Sequence, residues 1–519
     1  VPVVLAQVTT FAIDGVQPRQ VWVEVDIRTG LPSFTIVGLG DTAVRESRDR
    51  VRAAILNSGF RFPDRRITAN LAPASLRKAG PGFDAALALA LLAASGQVPV
   101  AALEGCAMFG ELSLAGELRD SPGALAVAEG AHRAGCRRLF VPRQRAREAA
   151  LVEGLHVVAV DSLRAAADVL SGQPPPPLPE PVPAVGARGG RPATGESLDL
   201  ADVRGHEIPL LALQIAAAGG HNLLMEGPPG TGKTMLARRL PSILPALTRE
   251  EAIEVTRIHS IAGLHGQTNP ACGGLISERP FRAPHHSISA AGLAGGGSPP
   301  RPGEATLADR GILFLDELSE FSRPALEALR QPLEDGAVTI VRAQRSLVFP
   351  TRFMLVAATN PCPCGFAGVE DRCRCTETDL RRHQRRLSGP LLDRMDLLVD
   401  VRRPADAELR GGPLLNSAQA RERVTTARER QHRRLDDATR CNGEMDARQV
   451  RETVVLEAEA ESELGRAYSA GLLSARGRHR VLRVARTIAD LGAHRHVTRA
   501  DVLLALSLRQ RTAEPGGAI

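Results

Sequence analysis

Gly227-Pro-Pro-Gly-Thr-Gly-Lys-Thr234 is a full match to the phosphate-binding loop G-x-x-x-x-G-K-[ST]. Only two of the chain's 65 basic residues are lysines, and one of them is Lys233. In a chain that otherwise uses arginine, a lysine is explained where a compact ammonium fits against phosphate oxygens and a planar guanidinium does not. The flanks have the required order, because His221-Asn-Leu-Leu-Met-Glu226 reads as a short buried strand and Thr234-Met-Leu-Ala-Arg-Arg-Leu240 as a helix. Gly227, Gly230 and Gly232 let the backbone wrap, so Pro228, Pro229, Thr231 and Met235 are expected beside the phosphates as well. Lys233 is expected on the β- and γ-phosphate oxygens and the Thr234 hydroxyl on magnesium. A glycine-rich turn without a ligand is the plainer alternative, and both spelling and flanks argue against it.

Working outward, Gly311-Ile-Leu-Phe-Leu-Asp-Glu-Leu318 is an apolar strand that ends in two carboxylates, the pattern of a Walker B motif. Asp316 is expected to hold magnesium and Glu317 to polarise an attacking water, a pairing suited to ATP hydrolysis rather than to nucleotide storage. A third strand, Phe353-Met-Leu-Val-Ala-Ala-Thr-Asn360, ends in a polar residue placed to hydrogen-bond the γ-phosphate or the lytic water. In Ser388-Gly-Pro-Leu-Leu-Asp-Arg-Met-Asp-Leu397, Arg394 follows an apolar turn, as an arginine at a subunit edge would. A surface salt bridge to Asp396 is the alternative for that arginine.

These motifs resemble the AAA+ ATPases and, more narrowly, the YifB/ComM family of magnesium-chelatase-like members. The resemblance is carried by Asp202-Val-Arg-Gly-His206, Arg282-Ala-Pro-His-His-Ser-Ile-Ser289, Arg301-Pro-Gly-Glu304, Arg330-Gln-Pro-Leu-Glu-Asp-Gly336, Asn360-Pro-Cys-Pro-Cys-Gly365 and Ala485-Arg-Thr-Ile-Ala-Asp-Leu491. It implies an α/β fold with a P-loop core built on a parallel sheet, a carboxy-terminal helical lid, and a ring, expected as a homohexamer with shared active sites. In that ring Asn360 is similar to a sensor 1 residue and Arg394 to an arginine that reaches a neighbour's γ-phosphate. Arg476, in Ser474-Ala-Arg-Gly-Arg-His-Arg480, resembles sensor 2, with Arg480 and Arg483 one and two turns farther on. The resemblance also implies a DNA helicase that drives branch migration of recombination intermediates during natural transformation.

The expected domains are 1–170, a Pro- and Gly-rich linker at 171–197, an ATPase core at 198–404 and the lid at 405–519. In the first, Gly38-Leu-Gly-Asp-Thr-Ala-Val-Arg-Glu-Ser47 and Lys78-Ala-Gly-Pro-Gly-Phe-Asp84 resemble segments of the Lon protease domain. The position of the nucleophilic serine is Gly82 and that of its partner lysine is Leu125, so a Ser-Lys protease is excluded on this alignment. Lys78, the second lysine, is expected to fix that turn.

The most apolar run, Ala85 to Ala94, is shorter than the ~20 residues a bilayer requires, and the amino-terminal stretch lacks a signal-peptide pattern. The expectation is a cytoplasmic chain without a membrane partner, and Val1 is expected from a processed or trimmed start. Cys362, Cys364, Cys373 and Cys375 form C-x-C-x₈-C-x-C, either four thiolates round one structural zinc or four free thiols. A net charge of +7 favours a polyanion such as branched or single-stranded DNA, read by backbone and not by sequence. Aromatic residues make up only 3% of the chain, which argues against base-stacking platforms. Candidate DNA contacts lie in two insertions: Leu264 to Gly303, with Arg282, His285 and His286, and the hairpin Val338 to Phe349, with Arg342 and Arg345. Solvated basic helix faces are the alternative use of such charge. A protein-remodelling or metal-insertion motor is the competing function for the same ATPase.

Overall fold

The computed structural model describes residues 5–38, 40, 42–76, 78, 80, 82–180, 198–264, 274–297, 300–342, 345–367, 372–386 and 389–509. Residues 181–197 of the expected linker, and 265–273 and 298–299 of the first insertion, lie outside them, as do the side chains of Arg342 and Arg345.

The first unit is a mixed seven-stranded sheet. Its strands are Ala6–Asp14 (β1), Gln17–Arg28 (β2), Ser33–Val37 (β3), Arg66–Ala72 (β4), Cys106–Met108 (β5), Arg138–Pro142 (β6) and His156–Val160 (β7), in the order β3-β4-β2-β1-β5-β6-β7. Alternation sets its register: in β2 Val21, Val23 and Val25 are buried on one face and pair with β1 at Val21, Thr10; Val23, Val8; and Val25, Ala6. The helix Asp84–Ala94, apolar at every position after Asp84, covers that face, which explains why Ala85 to Ala94 is so hydrophobic without crossing a membrane. No helix among the described residues is long and apolar enough to span a bilayer. A Cβ on Gly82 would lie 2.7 Å from the Phe109 ring, so this position has no room for a serine unless that ring moves. Lys78 is fully buried and donates to the Pro73 carbonyl, holding the turn ahead of that helix.

The second unit is a wholly parallel five-stranded sheet. Leu223–Glu226 (β8), Phe281–Arg282 (β9), Ile312–Leu315 (β10), Met354–Thr359 (β11) and Leu397–Asp400 (β12) run in the order β9-β10-β11-β8-β12. The continuous apolar runs Ile312-Leu-Phe-Leu315 and Met354-Leu-Val-Ala-Ala-Thr359 are buried throughout, as strands covered on both faces must be. One face packs on Leu293, Leu326 and Met395. The other shares a single apolar cluster with the carboxy-terminal helices, where Leu213, Leu236 and Val356 meet Val424, Val481 and Val502.

Those helices are Ser417–Leu435, Ala458–Ser469, Ala475–Leu491 and Arg499–Ser507, three of them started by side-chain caps from Asn416, Ser474 and Thr498. A buried polar network fastens them to the sheet. Asp490 pairs with Arg434 at 2.6 Å and Arg486 at 3.0 Å, while Thr487 Oγ1 meets Asn442 Nδ2 at 3.0 Å and His221 Nε2, just before β8, at 2.8 Å. The stretch Ala485 to Leu491 therefore builds the lid's polar core. Asp490→Ala leaves two arginines without their buried carboxylate and is expected to cost about 3–5 kcal/mol in urea unfolding. A loss under about 1 kcal/mol would show that solvent already satisfies them.

The two sheets touch through the helix Arg249–Ile261. Arg257 meets Glu129 at 2.9 Å, Ser260 donates to Glu148, and Gly123 N donates to Ser260 Oγ at 3.0 Å. Val16, from the β1–β2 turn, packs with Ile258, Leu307 and Phe349.

Candidate nucleotide site

In a parallel sheet every strand delivers its last residue to the same edge, so the three motifs read from sequence meet in space. β8 ends at Glu226 before Gly227, β10 ends before Asp316 and Glu317, and β11 ends before Asn360. The helix Lys233–Arg239 opens directly out of the glycine loop with Gly232 in the left-handed region at φ 91°, which aims its N-terminus into the loop.

Lys233 Nζ donates to Gly227 O at 2.5 Å, Pro228 O at 2.8 Å and Asn360 Oδ1 at 3.2 Å. The first-motif lysine and the third-strand asparagine thus already share a contact. Burial pulls the Lys233 ammonium below the usual lysine range, against the pull of Asp316, Glu226 and Glu317 in the other direction. A buried cation facing carboxylates is poised to accept phosphate charge. Thr234 Oγ1 lies 2.7 Å from Asp316 Oδ2, so hydroxyl and carboxylate converge as two oxygen donors on one hard cation would require. Asp316 Oδ1 accepts from the Glu317 amide at 3.0 Å. Glu317 is left-handed at φ 52° and half exposed, a strained residue of the kind that gathers at active sites. His286 Nδ1 stands 3.6 Å from Glu317 Oε2, with its ring against His285 and edge-on to Phe321.

The expected DNA residues of the first insertion are therefore placed differently from one another. His286 borders the carboxylate, and Arg282 is taken up by Glu304 in a two-point pair at 2.6 and 2.8 Å. His285 bonds Ser287 Oγ at 2.9 Å on the exposed side. In the hairpin, Arg342 and Arg345 are backbone partners across the turn.

Arg394 is not with this group. It precedes β12, whose Leu397 pairs with Leu223 at the start of β8, whereas the glycine loop follows Glu226 at the other end. Sheet spacing alone separates the two edges by about 10 Å. The Arg394 loop is pinned there by Asn222: its side chain donates to Arg394 O at 3.1 Å and accepts from Leu355 N at 2.8 Å, and its carbonyl receives Asp396 N. Arg394 itself pairs with Glu334, while Asp396, the alternative partner expected from sequence, takes Arg480 at 3.7 Å. Burial lowers the Arg394 pKa first, and the like charges of Arg330, Arg480 and Arg476 lower it further. Arg476 is accordingly grouped with Arg394, and Arg483 is turned to Gly443 O at 2.7 Å.

A cleft that sequence reasoning did not assign adjoins the glycine loop. It has a volume of about 380 Å³ and is lined by His206, Ile208, Asp400, Arg402, Pro404 and Leu508, among others. Its apolar walls of Ile208, Val399 and Leu508, set among hydrogen-bonding groups such as His206 and Asp400, suit a flat heterocycle beside a triphosphate. The signal was present in Asp202 to His206, where His206 is left-handed at φ 61°, yet only the fold shows what that turn faces. The four cysteine sulfurs Cys362, Cys364, Cys373 and Cys375 lie within 4.8 Å of one another, just beyond Asn360.

Comparison with known proteins covers nearly the whole chain. Three family descriptions match: "Magnesium chelatase, subunit ChlI" over residues 199–409, "Subunit ChlI of Mg-chelatase" over 23–145, and "Magnesium chelatase, subunit ChlI C-terminal" over 415–509. The chain is 42% identical to YifB of Escherichia coli (strain K12) over 97% of each protein. It is 41% identical to competence protein ComM of Haemophilus influenzae, again over 97% of each. A magnesium-chelatase 38 kDa subunit from Acidiphilium rubrum is 28% identical over 39% of this chain and 56% of that protein.

Proposed function

This chain belongs to the YifB/ComM family of magnesium-chelatase-like AAA+ ATPases, and from that premise we propose that it is an ATP-hydrolysing homohexameric ring motor acting on DNA. The proposal includes the division into an amino-terminal unit at 1–170, an ATPase core at 198–404 and a lid at 405–519. One observation carries it. Lys233, Thr234, Asp316, Glu317 and Asn360 gather at one edge of the parallel sheet, while Arg394, with Arg330, Arg476 and Arg480, is held at the opposite edge. That separation within one copy supports a head-to-tail ring, in which the edge of one copy meets the site of the next.

In that reading Lys233 holds the β- and γ-phosphates, Asn360 orients the γ-phosphate or the water, and Glu317 takes the water's proton. Thr234 and Asp316 hold magnesium, which when bound supplies Lewis-acid polarisation of the phosphates. Arg394 of one copy neutralises charge developing at the next copy's site, with Arg476 from the same edge as the second cation. Glu317→Gln keeps every phosphate contact and removes the base, so it is expected to bind ATP as the unaltered chain does and to turn over roughly 10²–10³-fold more slowly. Normal turnover in that variant would move the base elsewhere.

For the substrate, support comes from the +7 charge and from the similarity to a protein named for competence. We propose branch migration of recombination intermediates, with sequence-independent contacts to the sugar-phosphate backbone. A metal-insertion or protein-remodelling motor is the second reading, favoured by the three magnesium-chelatase matches. ATPase assays with forked or four-way DNA, denatured protein and a porphyrin separate them. Stimulation by DNA alone, lost as salt rises, is the expected result, and stimulation only by protein or porphyrin would remove the DNA reading.

A further inference from the structure

The cysteine loop is built round sulfur, and its geometry is that of a mononuclear metal site. Sγ separations are 3.3 Å for Cys362 to Cys364, 3.7 Å for Cys364 to Cys373 and 3.9 Å for Cys362 to Cys373. Four thiolates at a Zn–S distance of about 2.3 Å stand about 3.8 Å apart on a tetrahedron. A disulfide needs about 2.05 Å, and the described cysteines are all free. An amide faces the sulfurs as amides do at thiolate–metal centres: Ala367 N donates to Cys362 Sγ at 3.2 Å. The Arg372 guanidinium lies 4.1 Å above the Phe366 ring, bringing positive charge close to what would be a doubly negative complex.

The position of this loop matters as much as its chemistry. Asn360 lies two residues before Cys362. The helix Glu377–Arg386 begins two residues after Cys375 and sends His383 back to donate from Nε2 to Asn360 O at 2.9 Å. Gly365, between the two cysteine pairs, packs so tightly on the phosphate loop that a Cβ there would be 2.7 Å from Pro229 Cδ. The sulfurs sit at the centre of a brace that touches the asparagine at both ends and the glycine loop in the middle.

We propose that Cys362, Cys364, Cys373 and Cys375 bind one Zn²⁺ as a tetrathiolate, and that this ion fixes Asn360 against the phosphate loop so that it governs hydrolysis rather than nucleotide binding. The second half rests on the reading of Asn360 as part of the ATP site. The first stands without it. Binding releases the thiol protons to solvent and involves no change of oxidation state.

The test uses the full-length chain purified without added metal. Elemental analysis is expected to find about one zinc per chain, released in step with titration of four thiols by an organomercurial. Cobalt substituted for zinc is expected to give the ligand-field and thiolate charge-transfer bands of a tetrahedral sulfur site. Cys373→Ser with Cys375→Ser, the pair distant from Asn360 in sequence, is expected to lose the zinc and to lower kcat roughly 10–100-fold, with nucleotide affinity unchanged within about threefold. The double variant is first checked for an unaltered far-ultraviolet spectrum, and the mercurial titration of the unaltered chain gives the same readout if it misfolds. Less than about one-tenth of a zinc per chain, iron in its place, or zinc retained by the double variant would overturn the site. Loss of zinc with unchanged kcat would overturn the bracing role. Stoichiometric zinc in a chain with no ATPase activity would leave the metal site standing and instead sink the motor reading.

Discussion

Lys233→Ala is expected to bind ATP roughly two to three orders of magnitude more weakly than the unaltered chain, enough to remove binding at working concentrations. Its ammonium reaches Gly227 O, Pro228 O and Asn360 Oδ1 together, and phosphate oxygens would compete for those same three donor directions. Each charge-assisted contact contributes about 1.5–3 kcal/mol, so the loss of two or three exceeds what the remaining loop amides supply. Lys233→Arg is expected to fail as well, because a planar fork cannot occupy a pocket shaped by three converging acceptors. Titration with a fluorescent nucleotide decides the matter. Equal affinity in the alanine variant would show that the loop is not the triphosphate cradle.

Arg394→Ala is expected to bind nucleotide within about threefold of normal and to hydrolyse it roughly 10³-fold more slowly. Its ion pair with Glu334 is half exposed on the acidic side and contributes little to folding, so lost activity would not reflect unfolding. The sharper measurement mixes two dead proteins. Where Glu317 and Arg394 of different copies serve one site, equal amounts of Arg394→Ala and Glu317→Gln regenerate intact pairings at about a quarter of the seams. If both residues served a site within one copy, the mixture would be as inactive as its parts, and the shared-site proposal would fail.

The strands and loops that carry these residues were legible because local pattern and tertiary role coincide. The apolar run before Gly227 became Leu223–Glu226, and the run before Asp316 became Ile312–Leu315; a fully buried parallel strand has no polar face to confuse its reading. The stretch after Pro404 is helical, as the resemblance implies, with helices at Ser417–Leu435, Ala475–Leu491 and Arg499–Ser507.

What could not be read was long-range. Arg394 lies 34 residues beyond Asn360 in a chain that turns back on itself, and only the strand register shows the two at opposite edges. His286 is a candidate DNA contact by its place in the first insertion, yet the fold sets it beside Glu317, a neighbour 31 residues away. The cleft lined by His206, Asp400 and Leu508 joins three distant segments, so no window of sequence contains it. Likewise Arg282 reads as a free cation until Glu304 is seen across from it.

The hairpin Ala337–Arg342 and Arg345–Pro350 projects from the ATPase sheet, but its base is not free to swing alone. Phe349 is wedged with Ile258 and Leu307 against Val16, which belongs to the first turn of the amino-terminal sheet. Any stroke that lifts this arm must drag the leading sheet with it or tear that greasy joint open. The amino-terminal sheet is thus harnessed to this arm, as a yoke rather than a passenger.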